Sequence, residues 1–174
     1  MGNEILSGNG ASVPDRACAP SELSPQAVSS EAASPSREVV TNRCHGGFSL
    51  SHEGVLAYAA HKGIKLWPEH DGSEYGFWTY WTVPPEQRPE PQDEWHSWSQ
   101  ERRIESNREH AEAELNPRDI ARDDPSLVAV VNSLGDAANG HCAKLDVTEI
   151  PADVEWTIEE YDGLEWIAER HRTW

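Results

Sequence analysis

The chain has 174 residues and a formal net charge of −17, from 31 acidic and 14 basic side chains. This length leaves room for one folded domain, and a surface this acidic repels the phosphate backbone, so we do not expect direct binding to nucleic acid. No stretch approaches the roughly 20 apolar residues of a membrane helix, and no basic segment with an apolar core opens the chain. We therefore predict a cytoplasmic protein without a membrane segment.

The first part of the chain has the composition of a disordered segment. Residues 1–36 contain four prolines and eight serines but no aromatic residue. Such a segment buries too little apolar area to offset the entropy of ordering it. We therefore predict a disordered tail over residues 1–36 and a single domain over residues 37–174.

Order is predicted to begin with a β-branched strand over residues 38–44. A helix then begins after Ser49 or Ser51, because either serine can accept hydrogen bonds from the amides of the first turn. Gly63 suits the left-handed residue just past the helix end. Two further strands are predicted, over residues 64–67 and 77–83, with a loop at residues 68–72 between them.

Residues 93–115 contain neither Gly nor Pro and many Glu and Arg, which favours a helix. Trp95 and Trp98 are three residues apart and would lie on one face of that helix. They either cap the core or form an exposed patch, because exposed aromatic residues are typical of binding hot spots. We therefore take both as candidate partner-binding residues. The tryptophans of the predicted strands, among them Trp78, Trp81 and Trp166, are expected in the core.

The last third of the chain predicts a helix, a strand and a hairpin. Asp124-Pro125 is typical of a helix start, and residues 143–149 alternate between apolar and polar as a half-buried strand does. Asp162-Gly163 suits a two-residue type I′ turn between two strands. That turn places Glu160 opposite Glu165, a repulsive pair that requires a cation, a proton or full exposure.

Together these elements predict an α+β fold. We expect a small mixed or antiparallel sheet, two or three packed helices and a C-terminal β-hairpin.

The passage from the first strand through two glycines into the first helix is the strongest candidate for a ligand site. Glycine lets the backbone approach a ligand, and a helix start offers amides to an anion. The passage is neither a GxGxxG nor a Walker loop, and the plainer interpretation is a tight turn that swings the strand into the helix. The candidate ligand residues are His45, Gly46, Gly47, Ser49 and Cys142.

Two Cys-His pairs, Cys44-His45 and His141-Cys142, carry the ligand types of a zinc site. Adjacent residues on a strand point to opposite faces, so one pair rarely chelates a single metal. The sequence has no GxSxG elbow and no HExxH. We therefore predict no catalytic residue, no metal and no cofactor, and we favour a non-enzymatic function while leaving the alternative open.

Four segments resemble segments of uncharacterised bacteriophage and prophage proteins. They are CHGGFSLS at residues 44–51, YWTVPPE at 80–86, RDI with RDDPSLV between 118 and 128, and EWTIEEYDG with HRTW between 155 and 174. That group usually has Tyr where this chain has His45. The resemblance implies a small accessory protein of phage or prophage origin, acting in the host cytoplasm, and it implies no reaction.

The function predicted from the sequence is binding of a host or phage macromolecule, with a protein as the expected partner. An acidic nucleic-acid mimic with an anti-defence role is a narrower version of this hypothesis. The alternative is a small-ligand or metal-binding domain, with enzymatic activity left open, centred on residues 44–51. A concave pocket lined by His45, Ser49 and Cys142 would favour the ligand, and a flat, acidic, aromatic face would favour the partner.

Overall fold

The computed structural model describes residues 35–73 and 76–170. In this part of the chain there are three helices, α1 (His52–Lys62), α2 (Gln100–Ala113) and α3 (Pro125–Leu134). The same residues form six strands, β1 (Ser36–Asn42), β2 (Trp67–His70), β3 (Trp78–Trp81), β4 (Leu145–Pro151), β5 (Trp156–Tyr161) and β6 (Leu164–Glu169). Residues 1–34 of the predicted tail lie outside the described residues.

The strands pair two by two, always antiparallel: β1 with β4, β2 with β3, and β5 with β6. Helices α1 and α3 pack on each other, and α3 also packs on the β1–β4 pair. Fully buried apolar side chains from these elements form the core, among them Val40, Val55, Leu127 and Val130. The predicted α+β fold with small antiparallel sheets is confirmed. Across residues 35–73 and 76–170, every helix is too short or too polar to traverse a lipid bilayer.

The predicted ends of α1 and the start of α3 are confirmed. Ser51 Oγ accepts a hydrogen bond from the Gly54 amide at 2.9 Å, and Gly63 adopts φ 68° just past the last turn. At α3, the Asp124 carboxylate accepts from the Ser126 amide at 2.8 Å. Helix termini leave amides and carbonyls without partners, and these residues supply them.

The predicted helix over residues 93–115 is wrong at its start. Helix α2 begins at Gln100, where Ser99 Oγ accepts from the Arg102 amide at 3.3 Å. Trp95 lies in a separate 3₁₀ turn, and Trp98 has an extended backbone with ψ 154°. The two indoles therefore do not share a helical face.

The strands also depart from the prediction over residues 64–72. The strand lies at Trp67–His70, not at residues 64–67, and it includes Pro68. A two-stranded sheet leaves one edge of each strand unpaired, so a proline is tolerated there. Strand β3 stops at Trp81, earlier than predicted, because the Thr82 amide donates to the Ala113 carbonyl at 2.8 Å.

The C-terminal hairpin has the predicted register. Tyr161 lies opposite Leu164 and Glu160 opposite Glu165, and both turn residues have positive φ, 50° at Asp162 and 84° at Gly163. A type I′ turn requires this conformation at both positions.

A cation relieves the predicted repulsion between Glu160 and Glu165, and the protein itself supplies it. The two guanidinium nitrogens of Arg122 donate to the two Glu165 oxygens, each at 2.9 Å. The Asn42 amide donates to the same carboxylate at 2.8 Å. Glu165 is therefore buried with its charge satisfied, while Glu160 is exposed.

Candidate functional site

The Gly46-Gly47 turn is packed between two other turns of the backbone. A Cβ at Gly46 would overlap the Cys142 carbonyl, and a Cβ at Gly163 would overlap the Gly47 amide nitrogen. Because Gly46 and Gly163 have no side chain, they allow two segments of the backbone to approach each other closely. This geometry favours the tight-turn interpretation for the glycines themselves.

The predicted ligand residues separate into two groups. Gly46 and Ser49 line a common cleft, whereas His45, Gly47 and Cys142 do not. Ser49 Oγ donates to the His141 carbonyl at 3.3 Å. Of His45, Ser49 and Cys142, which we considered together from the sequence, this cleft includes Ser49 alone.

The cysteines of the two Cys-His pairs lie close to each other. Cys44 Sγ donates to the Cys142 carbonyl oxygen at 2.7 Å, and Cys142 holds a left-handed φ of 61°. Nowhere in residues 35–73 and 76–170 are three or more His, Cys, Asp or Glu side chains arranged to hold a metal ion. The zinc alternative has no support in these residues.

The cleft has a volume of about 540 Å³, within the usual range for ligand pockets. Four separate stretches of the chain contribute to its lining: residues 46 and 48–52, residues 76–78 and 80, residues 116–118, and residues 139–141. Its apolar wall consists of Phe48, Leu50, Phe77, Trp78 and Tyr80. Its polar wall includes Ser49, His52, Asn116, Arg118, Asn139 and His141. We call this site the aromatic cleft.

The aromatic wall is ordered by contacts with His52, the first residue of α1. The His52 ring stacks on Trp78 with centroids 3.9 Å apart, and its Nδ1 lies 3.3 Å from the Tyr80 hydroxyl. Burial raises the pKa of Tyr80, so its hydroxyl stays protonated and able to donate at neutral pH. Trp78 nevertheless keeps 39% of its surface exposed and Phe77 keeps 68%. The expectation that Trp78 belongs to the core is wrong, and so is the same expectation for Trp166, which keeps 38% of its surface exposed.

The described lining of the aromatic cleft differs in composition from the acidic chain as a whole. Its described lining contains no Asp or Glu, although the chain has 31 of them. Four further clefts each include at least one acidic residue. Arg118 lines the aromatic cleft and is exposed, and no side chain among residues 35–73 and 76–170 pairs with its guanidinium.

Trp95 and Trp98 are half-buried and covered by arginines. The Arg103 guanidinium lies 4.4 Å from the centroid of Trp95, and that of Arg102 lies 5.2 Å from the centroid of Trp98. Such a cation–π contact occupies one face of each ring. In the described part of the chain the exposed large aromatic side chains are Phe77, Trp78, Tyr161 and Trp166.

Sequence reasoning missed the aromatic cleft because its four stretches are far apart along the chain. The one local signal is Gly76-Phe77-Trp78, where two large aromatic residues are adjacent. Neighbouring side chains point to opposite faces of the strand predicted over residues 77–83, so both cannot enter the same core. Comparison of the chain with protein-family models, with curated proteins and with solved structures gave no match.

Proposed function

We propose that this protein acts by binding another macromolecule, a protein, and that the aromatic cleft is its recognition site. The observation that supports the proposal is a concave surface whose described lining has no Asp or Glu and includes two exposed aromatic side chains, on a chain of net charge −17. Exposed Trp and Phe side chains carry a large share of the free energy in protein interfaces.

The choice of a protein partner rests on charge. A nucleic acid carries one phosphate charge per nucleotide, and the acidic groups of this chain repel it along its whole length. A protein segment that enters the aromatic cleft can instead carry as few as one or two charged groups. The proposal includes an accessory role in a phage or prophage, which rests on the four resembling segments and places the partner in the host cytoplasm.

The narrower hypothesis of a nucleic-acid mimic makes a different prediction. A mimic binds a basic partner through its acidic surface, so its affinity falls steeply as salt screens the charges. Recognition in the aromatic cleft depends on apolar contact and is much less sensitive to salt. Affinity measured over a range of salt concentrations separates the two.

The proposal is tested by affinity capture from host lysate with three forms of the full chain. The first is the wild type, the second is Trp78→Ala, and the third is Tyr161→Ala. Tyr161 is 72% exposed on the hairpin and serves as a matched exposed aromatic outside the cleft. Circular dichroism of each variant controls for the fold.

We expect one protein to be recovered with the wild type and with Tyr161→Ala but lost with Trp78→Ala. A partner that all three forms capture equally, or that only Tyr161→Ala loses, contradicts the proposal. Recovery of no specific partner at any salt concentration also counts against it.

A second candidate function is binding of a small ligand in the same cleft. The observation in its favour is that Gly46 and Ser49, two of the ligand residues predicted from the sequence, line a concavity of about 540 Å³. Elemental analysis of the purified protein and a thermal-shift screen of nucleotides and anions test this function. Detection of neither a metal nor a stabilising compound argues against it.

A further inference from the structure

The charge of the aromatic cleft indicates which feature of a partner it recognises. We propose that the cleft binds a protein segment that carries a carboxylate beside an apolar or aromatic side chain, with Arg118 as the contact for the carboxylate. This inference rests on the proposed function, because it names the chemistry that the same site would select.

The first step concerns Arg118. Most arginines of the described residues pair with a carboxylate, as Arg37, Arg43, Arg88, Arg102, Arg108 and Arg122 do. Arg103 instead donates to two backbone carbonyls. Within the described ranges the guanidinium of Arg118 has no such partner, although acidic side chains outnumber basic ones by 31 to 14 in the chain. A guanidinium has five N–H donors in a planar fork that matches a carboxylate.

The second step concerns the surroundings of Arg118. No Asp or Glu belongs to the described lining of the cleft, and the neighbouring polar groups include Asn116, Asn139 and His141. One N–H of Asn116 already donates to Asp119 at 3.0 Å, and one N–H of Asn139 donates to Asp136 at 3.3 Å. The second N–H of each amide and the imidazole N–H are the donors open to an anion. A carboxylate that enters the cleft thus meets donors and one cation, with no fixed negative charge among the described lining residues.

The third step concerns the apolar part of the ligand. Phe77 and Trp78 line the same cleft and remain partly exposed, and His52 holds the Trp78 ring by stacking at 3.9 Å. A ring held by such a contact is preorganised to receive an apolar side chain. The carboxylate and the apolar group must therefore be neighbours in the ligand, as they are at an acidic residue next to an aromatic one or at an apolar C-terminal residue.

Two matched pairs of probes test the inference on the full ¹⁵N-labelled chain. The first pair is N-acetyl-tryptophan and N-acetyl-tryptophanamide, which differ in the carboxylate. The second pair is adenosine monophosphate and adenosine, which present a ring with and without a phosphate. The indole N–H signal of Trp78, assigned with Trp78→Phe, reports occupancy of the cleft. Peptides with either an internal acidic residue or a C-terminal carboxylate then show whether the cleft takes its carboxylate from a side chain or from a chain end.

We expect N-acetyl-tryptophan to bind about tenfold more tightly than its amide, as one charge-assisted contact warrants. Arg118→Gln should abolish that preference while leaving the affinity for the amide unchanged. Arg170→Gln is the matched control, because Arg170 is also exposed and its guanidinium has no partner among the described residues. The control should keep the preference of the wild type.

Three results overturn the inference. The first is that the acid and the amide bind equally to the wild type, and the second is that neither binds at millimolar concentration. The third is that adenosine monophosphate binds better than N-acetyl-tryptophan. Equal binding of acid and amide in the cleft removes only the role of the carboxylate and leaves the proposed function standing. Loss of the proposed function is recognised separately, when Trp78→Ala captures the partner as well as the wild type does.

Discussion

Glu165 shows how a single buried charge can be accommodated in this fold. Its carboxylate accepts two hydrogen bonds from Arg122 and one from the Asn42 amide. The Asn42 side chain in turn donates to the carbonyls of Cys44 and Gly163, at 2.6 and 2.7 Å. These contacts join β1, the residue two positions before the Gly46-Gly47 turn, and the hairpin.

Replacing Glu165 by Ala should destabilise the protein by about 3–5 kcal/mol, because the change leaves the half-buried Arg122 guanidinium without a counter-charge. Urea unfolding followed by tryptophan fluorescence measures the loss. The control is Glu160→Ala at the exposed position opposite, which should change the free energy of unfolding by less than about 0.5 kcal/mol. Equal effects of the two substitutions would show that the ion pair is not buried as described.

The two adjacent glycines should respond differently to substitution. At Gly46 a new Cβ overlaps the Cys142 carbonyl, whereas at Gly47 nothing lies within 4 Å of it and φ is +79°. Asn tolerates the left-handed conformation. We therefore expect Gly46→Ala to cost about 3 kcal/mol, at the upper end for overpacking, and Gly47→Asn to cost about 1 kcal/mol or less. Thermal unfolding of the two variants checks the order, and the reverse order is incompatible with the packing of this turn.

At the scale of the element, Asp124 joins the start of α3 to α1. Its carboxylate accepts from the Ser126 amide, from the Tyr58 hydroxyl at 3.1 Å and from Lys62 Nζ at 3.0 Å. Asp124→Ala removes the N-cap and the two side-chain contacts, so we expect a loss of at least about 1 kcal/mol. Asp124→Asn keeps a capping oxygen, so its free energy of unfolding should decrease by less than that of Asp124→Ala. Chemical unfolding at neutral pH orders the two variants, and equal losses would mean that the cap contributes nothing.

The same carboxylate gives a dependence of stability on pH. Burial raises the pKa of Asp124, but the hydrogen bonds from Lys62, the Ser126 amide and Tyr58 outweigh it, and the pKa lies below its ordinary value of 3.8. A carboxyl whose pKa is lower in the folded state stabilises the protein above its unfolded pKa, and this contribution is lost as the pH falls through the folded pKa. The stability difference between wild type and Asp124→Asn should therefore be constant near neutral pH and shrink below about pH 4. A stability difference that increases as the pH falls would contradict the predicted sign of this linkage.

How far an element could be predicted depended on whether its signal is local. The Asp162-Gly163 turn, the Ser51 cap and the Asp124-Pro125 start were predicted correctly, because a turn or a cap depends on a few adjacent residues. The start of α2 was not, since composition favours helix through residues 93–99 while the Ser99 cap begins it at Gln100. The paired register of β2 and β3 is set by contacts between segments, which a single segment does not encode.

At the scale of the whole molecule, the aromatic cleft exists only because four segments meet. The close approach of Gly46 to Cys142 and of Gly163 to Gly47 brings the turns together, and β3 adds Trp78 and Tyr80. The sequence indicated Gly46 and Ser49, which belong to the first of these segments. It indicated His141 only as part of a Cys-His pair and gave no reason to place His141 or Arg118 in this cleft, because that depends on the distance between segments in space.

The most direct test of the recognition site is site-specific photo-crosslinking in cells that produce the protein. A p-benzoylphenylalanine residue replaces Phe77 in one form of the protein and Tyr161 in another, since these aromatic residues are comparably exposed, at 68% and 72%. If the aromatic cleft binds the partner, irradiation should give one discrete crosslinked species from position 77 and none from position 161. A discrete species from position 161 alone, or the absence of any from position 77, would contradict the assignment of the cleft as the recognition site.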